Sequence, residues 1–145
     1  QASVGGVSSI MSPSIYGAVE ISRGCGRGCA FCSPTMRKRR FIPVENVMRE
    51  VELNVKSGWH DVLLVTEDIF MYGCNSPSFV PNSDAVEGLF KAVTANEGVE
   101  SIQVTHANLA AVSADKALAS RLGELLVEKS KYHLAKKEDT PTRKS

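Results

Sequence analysis

Three cysteines fall within eight residues, Cys25-Gly26-Arg27-Gly28-Cys29-Ala30-Phe31-Cys32, a C-x3-C-x2-C spacing. A backbone that carries thiols this densely must bend tightly, and Gly24, Gly26 and Gly28 tolerate the positive φ such bending needs. A disulfide framework would spread its cysteines more evenly, and no charged-then-apolar leader precedes these. The segment therefore reads as a metal or redox loop in a reducing, cytoplasmic setting. It follows a short β-compatible run at 16–21 (YGAVEI). In a parallel sheet that places it at the C-terminal edge of a strand, where α/β folds gather their active sites.

Iron–sulfur clusters are usually held by four cysteine thiolates. A loop that supplies three leaves one iron open to a small molecule, the feature that separates a reactive metal site from a structural one. Arg23 and Arg27 are expected to offset the negative charge of the thiolates. A zinc site is the alternative, with a fourth ligand drawn from Cys74, His60 or His106.

The rest of the chain alternates between two periodicities. Between Pro43 and Gly58, residues Val44, Val47, Met48, Val51 and Val55 form one helical stripe. Residues 62–65 (VLLV) make a continuous apolar run, expected of a strand buried on both faces. A second helix is expected from Asn82 or Ser83, with Val86, Leu89, Phe90 and Val93 as its stripe and Gly98 just past its end. Residues 101–105 (SIQVT) read as a third strand. Ser113 is the expected cap of a third helix carrying Leu118, Leu122, Leu125 and Leu126. The order β-α-β-α-β-α predicts an α/β fold with parallel strands joined by crossover helices. Three βα units cannot close a barrel, which in its eight-unit form takes roughly 250 residues. The expectation is an open α/β sandwich or a partial (β/α) barrel. A first residue Gln1 and an end short of a fourth strand point, on this reading, to further chain on either side, with the remainder of the barrel missing.

Apolar residues make up 43% and charged residues 23%, the balance of an ordinary globular domain. A net charge of +1 gives no push towards nucleic acid or a membrane surface. No apolar run approaches the roughly 20 residues that span a bilayer. The basic run at 37–40 (RKRR) is expected to cover a solvated face or to pair with Glu45 and Glu50; contact with nucleic acid or another phosphate-bearing substrate is the alternative. Gln103, Thr105 and His106 face the mouth of the sheet as candidate contacts, His60 and Trp59 are expected to be structural, and Cys74 to be an ordinary free cysteine.

The stretches EISRGCGRGCAFC, MRKRRFIPVENVMREV and LLVTEDIFMYG resemble the radical S-adenosylmethionine (SAM) superfamily, whose signature is C-x3-C-x-aromatic-C with Phe31 in the aromatic place. The wording is most similar to the subgroup with cobalamin-binding or methylthiotransferase relatives. The resemblance implies that Cys25, Cys29 and Cys32 ligate three irons of a [4Fe–4S] cluster, that SAM chelates the fourth, and that Phe31 lies beside the adenine. Family members carry a short polar motif after the second strand, often Gly-Gly-Glu, that holds the SAM amino group; Thr66-Glu67-Asp68 stands there in this chain. The implied activity is reductive cleavage of SAM to a 5′-deoxyadenosyl radical that abstracts hydrogen from an unknown substrate. It implies a one-electron reductant as partner, with cobalamin a further cofactor in a full-length protein. The expected organisation is a linker at 1–15, a partial radical SAM core at 16–136 and a flexible tail at 137–145. The alternatives are an iron–sulfur electron-transfer module and a zinc-stabilised binding module without catalysis.

Overall fold

The computed structural model describes residues 13–138. The expected linker (all but residues 13–15) and all but the first two residues of the expected tail lie outside that range. Alternation of apolar side chains sets the first layer. Strands β1 (Ala18–Glu20), β4 (Asp61–Val65) and β5 (Ser101–Val104) form a parallel sheet in the order β1-β4-β5. Ala18 pairs with Leu63, and Leu63 with Gln103. Parallel neighbours need crossovers, and these are α1 (Val44–Lys56) between β1 and β4 and α2 (Ser83–Ala95) between β4 and β5. This is the predicted run of three βα units, a partial β/α core.

The helices lie on one face of the sheet. Val19, Val62, Leu64 and Ile102 point into that face and are buried, against Val47 and Val51 of α1, Val86, Leu89, Phe90 and Val93 of α2, and Leu118 and Leu122 further on. On the other face Ala18, Glu20, Leu63 and Val65 are half-buried and Gln103 is exposed. The expectation that residues 62–65 are covered on both sides is corrected. Period-two geometry sends alternate side chains to opposite faces, and the helices cover one of them.

Helix boundaries follow local chemistry. The Asn82 side chain accepts the Ala85 N–H at 3.2 Å and caps α2. Ser57 and Gly58 close α1, with Gly58 at φ 95. The third predicted helix is two helices, α3 (Leu109–Ala114) and α4 (Lys116–Glu138). Ser113 lies inside α3, and Asp115 caps the longer helix instead, its carboxylate accepting the Leu118 N–H at 2.9 Å. That bond, and a second from the Ser83 hydroxyl at 2.8 Å, hold the Asp115 carboxyl below its usual range. A short antiparallel pair that periodicity does not announce, β2 (Ser22–Arg23) with β3 (Arg40–Phe41), brackets the cysteine loop and brings its two ends together. At the base of the sheet Gly17 has φ 65, and a Cβ there would lie 2.1 Å from the Asp61 carbonyl oxygen, so only glycine lets the two chains run this close.

Candidate functional site

The C-terminal ends of the three parallel strands are tied by hydroxyls. Ser22 and Thr66 share a hydrogen bond of 2.6 Å. Thr105 donates to the Thr66 carbonyl at 2.7 Å and accepts the Thr66 N–H at 3.0 Å, and His106 Nδ1 lies 3.2 Å from the same carbonyl. Thr66 is therefore buried and fully engaged by the fold.

Asp68 is equally committed. It is 3% exposed, and its Oδ1 accepts the N–H groups of Phe70 and Asn108, each at 3.2 Å. Its Oδ2 meets Arg27 Nη2 at 3.4 Å. Glu67, between them, is half-buried, and its Oε2 accepts the Gly24 N–H at 2.9 Å. The acidic turn after β4 thus grips the start of the cysteine loop at two points, Gly24 and Arg27.

Cys25, Cys29 and Cys32 are free thiols, each half-buried. Cys29 and Cys32 bracket a turn in which the Cys32 N–H donates to the Cys29 carbonyl at 3.1 Å. Gly24, Gly26 and Gly28 take φ of 81°, 77° and 70°. Phe31 projects from that turn, 90% exposed. Among the described residues no three His, Cys, Asp or Glu side chains form a preassembled metal-holding group. The donor set still fits an iron–sulfur cluster, because three unpaired thiols share one glycine-bent, solvent-reachable loop.

Both arginines expected to serve the thiolates are engaged with carboxylates. Arg23 forms a two-pronged pair with Glu20 at 2.7 and 2.8 Å, which raises its pKa, and Arg27 pairs with Asp68. The basic run is also used differently from the expectation. No ion pair joins residues 37–40 to Glu45 or Glu50 among the described residues. Glu50 instead carries a buried oxygen without a hydrogen-bond partner, and burial first, then Glu20, raises its pKa. Arg37 turns back on the cysteine loop, donating to the carbonyls of Cys32 at 3.2 Å and Ala30 at 3.0 Å. Arg39 reaches Cys74 Sγ at 3.1 Å and the Ser76 carbonyl at 2.9 Å. Cys74 is buried and donates to the Val80 carbonyl at 3.0 Å.

Other predicted residues sit away from the loop. Trp59 packs edge-on to Tyr16, and His60 Nδ1 meets the Gly98 carbonyl at 2.7 Å, both at the far end of the sheet, as expected of structural residues. A concavity of about 480 Å³ opens beside the start of α1, lined by Phe41, Ile42, Val44, Glu45, Tyr72 and Asn82 among others, and none of the predicted site residues lines it. Tyr72 donates from its hydroxyl to the Ile42 carbonyl at 2.7 Å. Burial, aided by Glu45, pushes its pKa up to about 12.

A parallel β/α core carries the three-thiol, glycine-bent loop at the C-terminal edge of its first strand, and part of the chain is similar to methylthiotransferases, the group the sequence resemblance points to. The relatives are ribosomal protein uS12 methylthiotransferases RimO. That of Chlorobium limicola is 35% identical over 68 residues, 46% of this chain and 16% of the relative. That of Leptospira biflexa is 34% identical over 93 residues, 63% of this chain and 19% of the relative. That of Pelodictyon phaeoclathratiforme is 40% identical over 67 residues, 45% of this chain and 16% of the relative. The chain thus spans about a fifth or less of these curated relatives. No family model matches it. No helix among the described residues is long and apolar enough to cross a membrane.

Proposed function

We infer that this chain is the part of a radical SAM enzyme that holds the cluster and begins the SAM site. Cys25, Cys29 and Cys32 would hold three irons of a [4Fe–4S] cluster, and SAM would occupy the fourth. The observation that carries the reading is the 2.9 Å bond from the Gly24 N–H to Glu67, which seats the three-thiol loop directly against an acidic turn. When bound, the cluster and SAM together supply one-electron reductive chemistry. The chain's own residues do the positioning. Glu67 is the half-buried carboxylate of its turn and suits the SAM ammonium group by charge. Thr66 and Asp68, both buried, hold that carboxylate's backbone in place. Phe31 offers an exposed aromatic face to a purine.

The finer reading is methylthio transfer, supported by the names of the relatives. A ribosomal protein such as uS12 is then the class of substrate. Those names speak of methylthio transfer and give no support to cobalamin.

Anaerobic reconstitution with iron and sulfide tests the reading. The expected result is a bound cluster with broad visible absorbance, a spectral change on adding SAM, and loss of both on substituting Cys25, Cys29 or Cys32 by alanine. Colour without a response to SAM would mark an electron carrier. Zinc retained in place of iron would mark a structural module. Either result overturns the proposal.

A further inference from the structure

We propose that the basic run following the cysteine loop is an internal clamp, in which Arg37 and Arg39 are positioning residues for the loop and Phe79 locks Arg39 in place. This rests on the cluster reading for its purpose and on geometry for its existence.

The two arginines take opposite halves of the loop. Arg39 lies under the first half: a Cβ on Gly26 would meet its Cγ at 2.7 Å and its Nε at 2.9 Å, so the loop backbone rests directly on this side chain. Arg37 takes the second half through the carbonyls of Ala30 and Cys32. Residues two apart on an extended chain point to the same side, and the turn at Pro34–Arg37 offsets Arg37 from Arg39, so the two can grip successive parts of one loop.

Arg39 could not hold a backbone in place if it were itself free to move. Its guanidinium is fixed by Cys74 Sγ and the Ser76 carbonyl, and it lies 4.9 Å from the centroid of Phe79. Arg27, from within the cysteine loop, lies 5.1 Å from the same ring. Phe79 therefore joins the loop to its support by two cation–π contacts. It does so at φ 56, a conformation that is an outlier for a bulky residue and persists only where its surroundings fix it. The two cations tolerate one ring because Arg27 has its own counter-charge in Asp68. Two of the four charges at 37–40 are thus directed at the cysteine loop, Arg37 from the exposed side and Arg39 from a part-buried position.

The full chain, reconstituted anaerobically with iron and sulfide, provides the test, alongside Arg39→Met, Phe79→Leu and Phe79→Tyr. Partners that orient metal ligands typically change metal retention by about tenfold or more. Arg39→Met and Phe79→Leu are expected to release iron to a chelator about tenfold faster than wild type and to shift the cluster's electron paramagnetic resonance signal. Phe79→Tyr keeps the aromatic face and is expected to restore both. In parallel, amide hydrogen exchange on the chain before reconstitution should quicken across residues 24–32 in the first two variants alone. Iron release, signal and exchange equal to wild type in Arg39→Met and Phe79→Leu overturn the clamp. Wild-type protein that takes up no iron overturns the cluster reading, and the clamp is then decided by exchange alone.

Discussion

The sheet with its helices and the rim above it are held by different forces. Below, Val19, Leu64, Leu89, Phe90 and Leu118 are fully enclosed, and attachment is by apolar contact that is strong in sum and indifferent to direction. Above, the cysteine loop has its thiols half-buried and Phe31 exposed, and it is held by single directed contacts: Gly24 to Glu67, Arg27 to Asp68, Gly26 on Arg39 and Arg37 to two carbonyls. The contrast teaches where each kind of damage should appear. Loss of packing should cost stability without reshaping the loop, and loss of one polar contact should reshape the loop at little cost to the sheet.

The largest expected effect tests the lower region. Phe90→Ala should lower the unfolding free energy by roughly 3–5 kcal/mol in denaturant titration. Under native conditions it should leave hydrogen exchange across residues 24–32 unchanged. A loop that loosens with it would break the contrast.

Asp68 belongs to both regions, since it caps the turn at Ile69–Met71, receives Asn108 and pairs with Arg27. Asp68→Ala should cost about 2–3 kcal/mol through its lost cap and buried hydrogen bonds. Unlike Phe90→Ala, it should also quicken exchange at residues 24–29. An effect confined to either region would show that the seam is not shared.

The smallest effect comes from Tyr72. Its folded pKa is raised to about 12 from an ordinary value of 10.0, so the folded chain keeps this proton after the unfolded chain has lost it. Stability from the neutral hydroxyl is thus complete below pH 10 and falls as pH rises through about 12. Tyr72→Phe should cost about 1 kcal/mol at neutral pH and flatten that alkaline decline, measured by melts across the range.

Most of the layer architecture was legible because it is periodic. The stripes of α1 and α2 repeat often enough to reveal element and face, whereas the unbroken apolar run at 62–65 revealed a strand but not which face the helices cover. What periodicity could not show was either short or distant. β2 and β3 have two residues each, too few to alternate. Asp115 and Ser113 are both good caps by type, and the choice between them depends on where the chain turns. At the site, the three cysteines were visible from spacing, whereas their surroundings were not. Arg39 meets Cys74 across 35 positions and Arg27 meets Asp68 across 41. A run of charges carries no mark of which member turns inward. The positive φ of Phe79 has no sequence signal at all, since an aromatic residue is among the last expected there.

The hydroxyl line from Ser22 through Thr66 to Thr105 couples the tips of three parallel strands crosswise. A sheet whose tips were independent would let each one yield separately when something bulky settles on the loop above. Here a load on one tip is shared by all three, so the platform under the cysteines behaves as a stiff plate, and any accommodation must come from the loop.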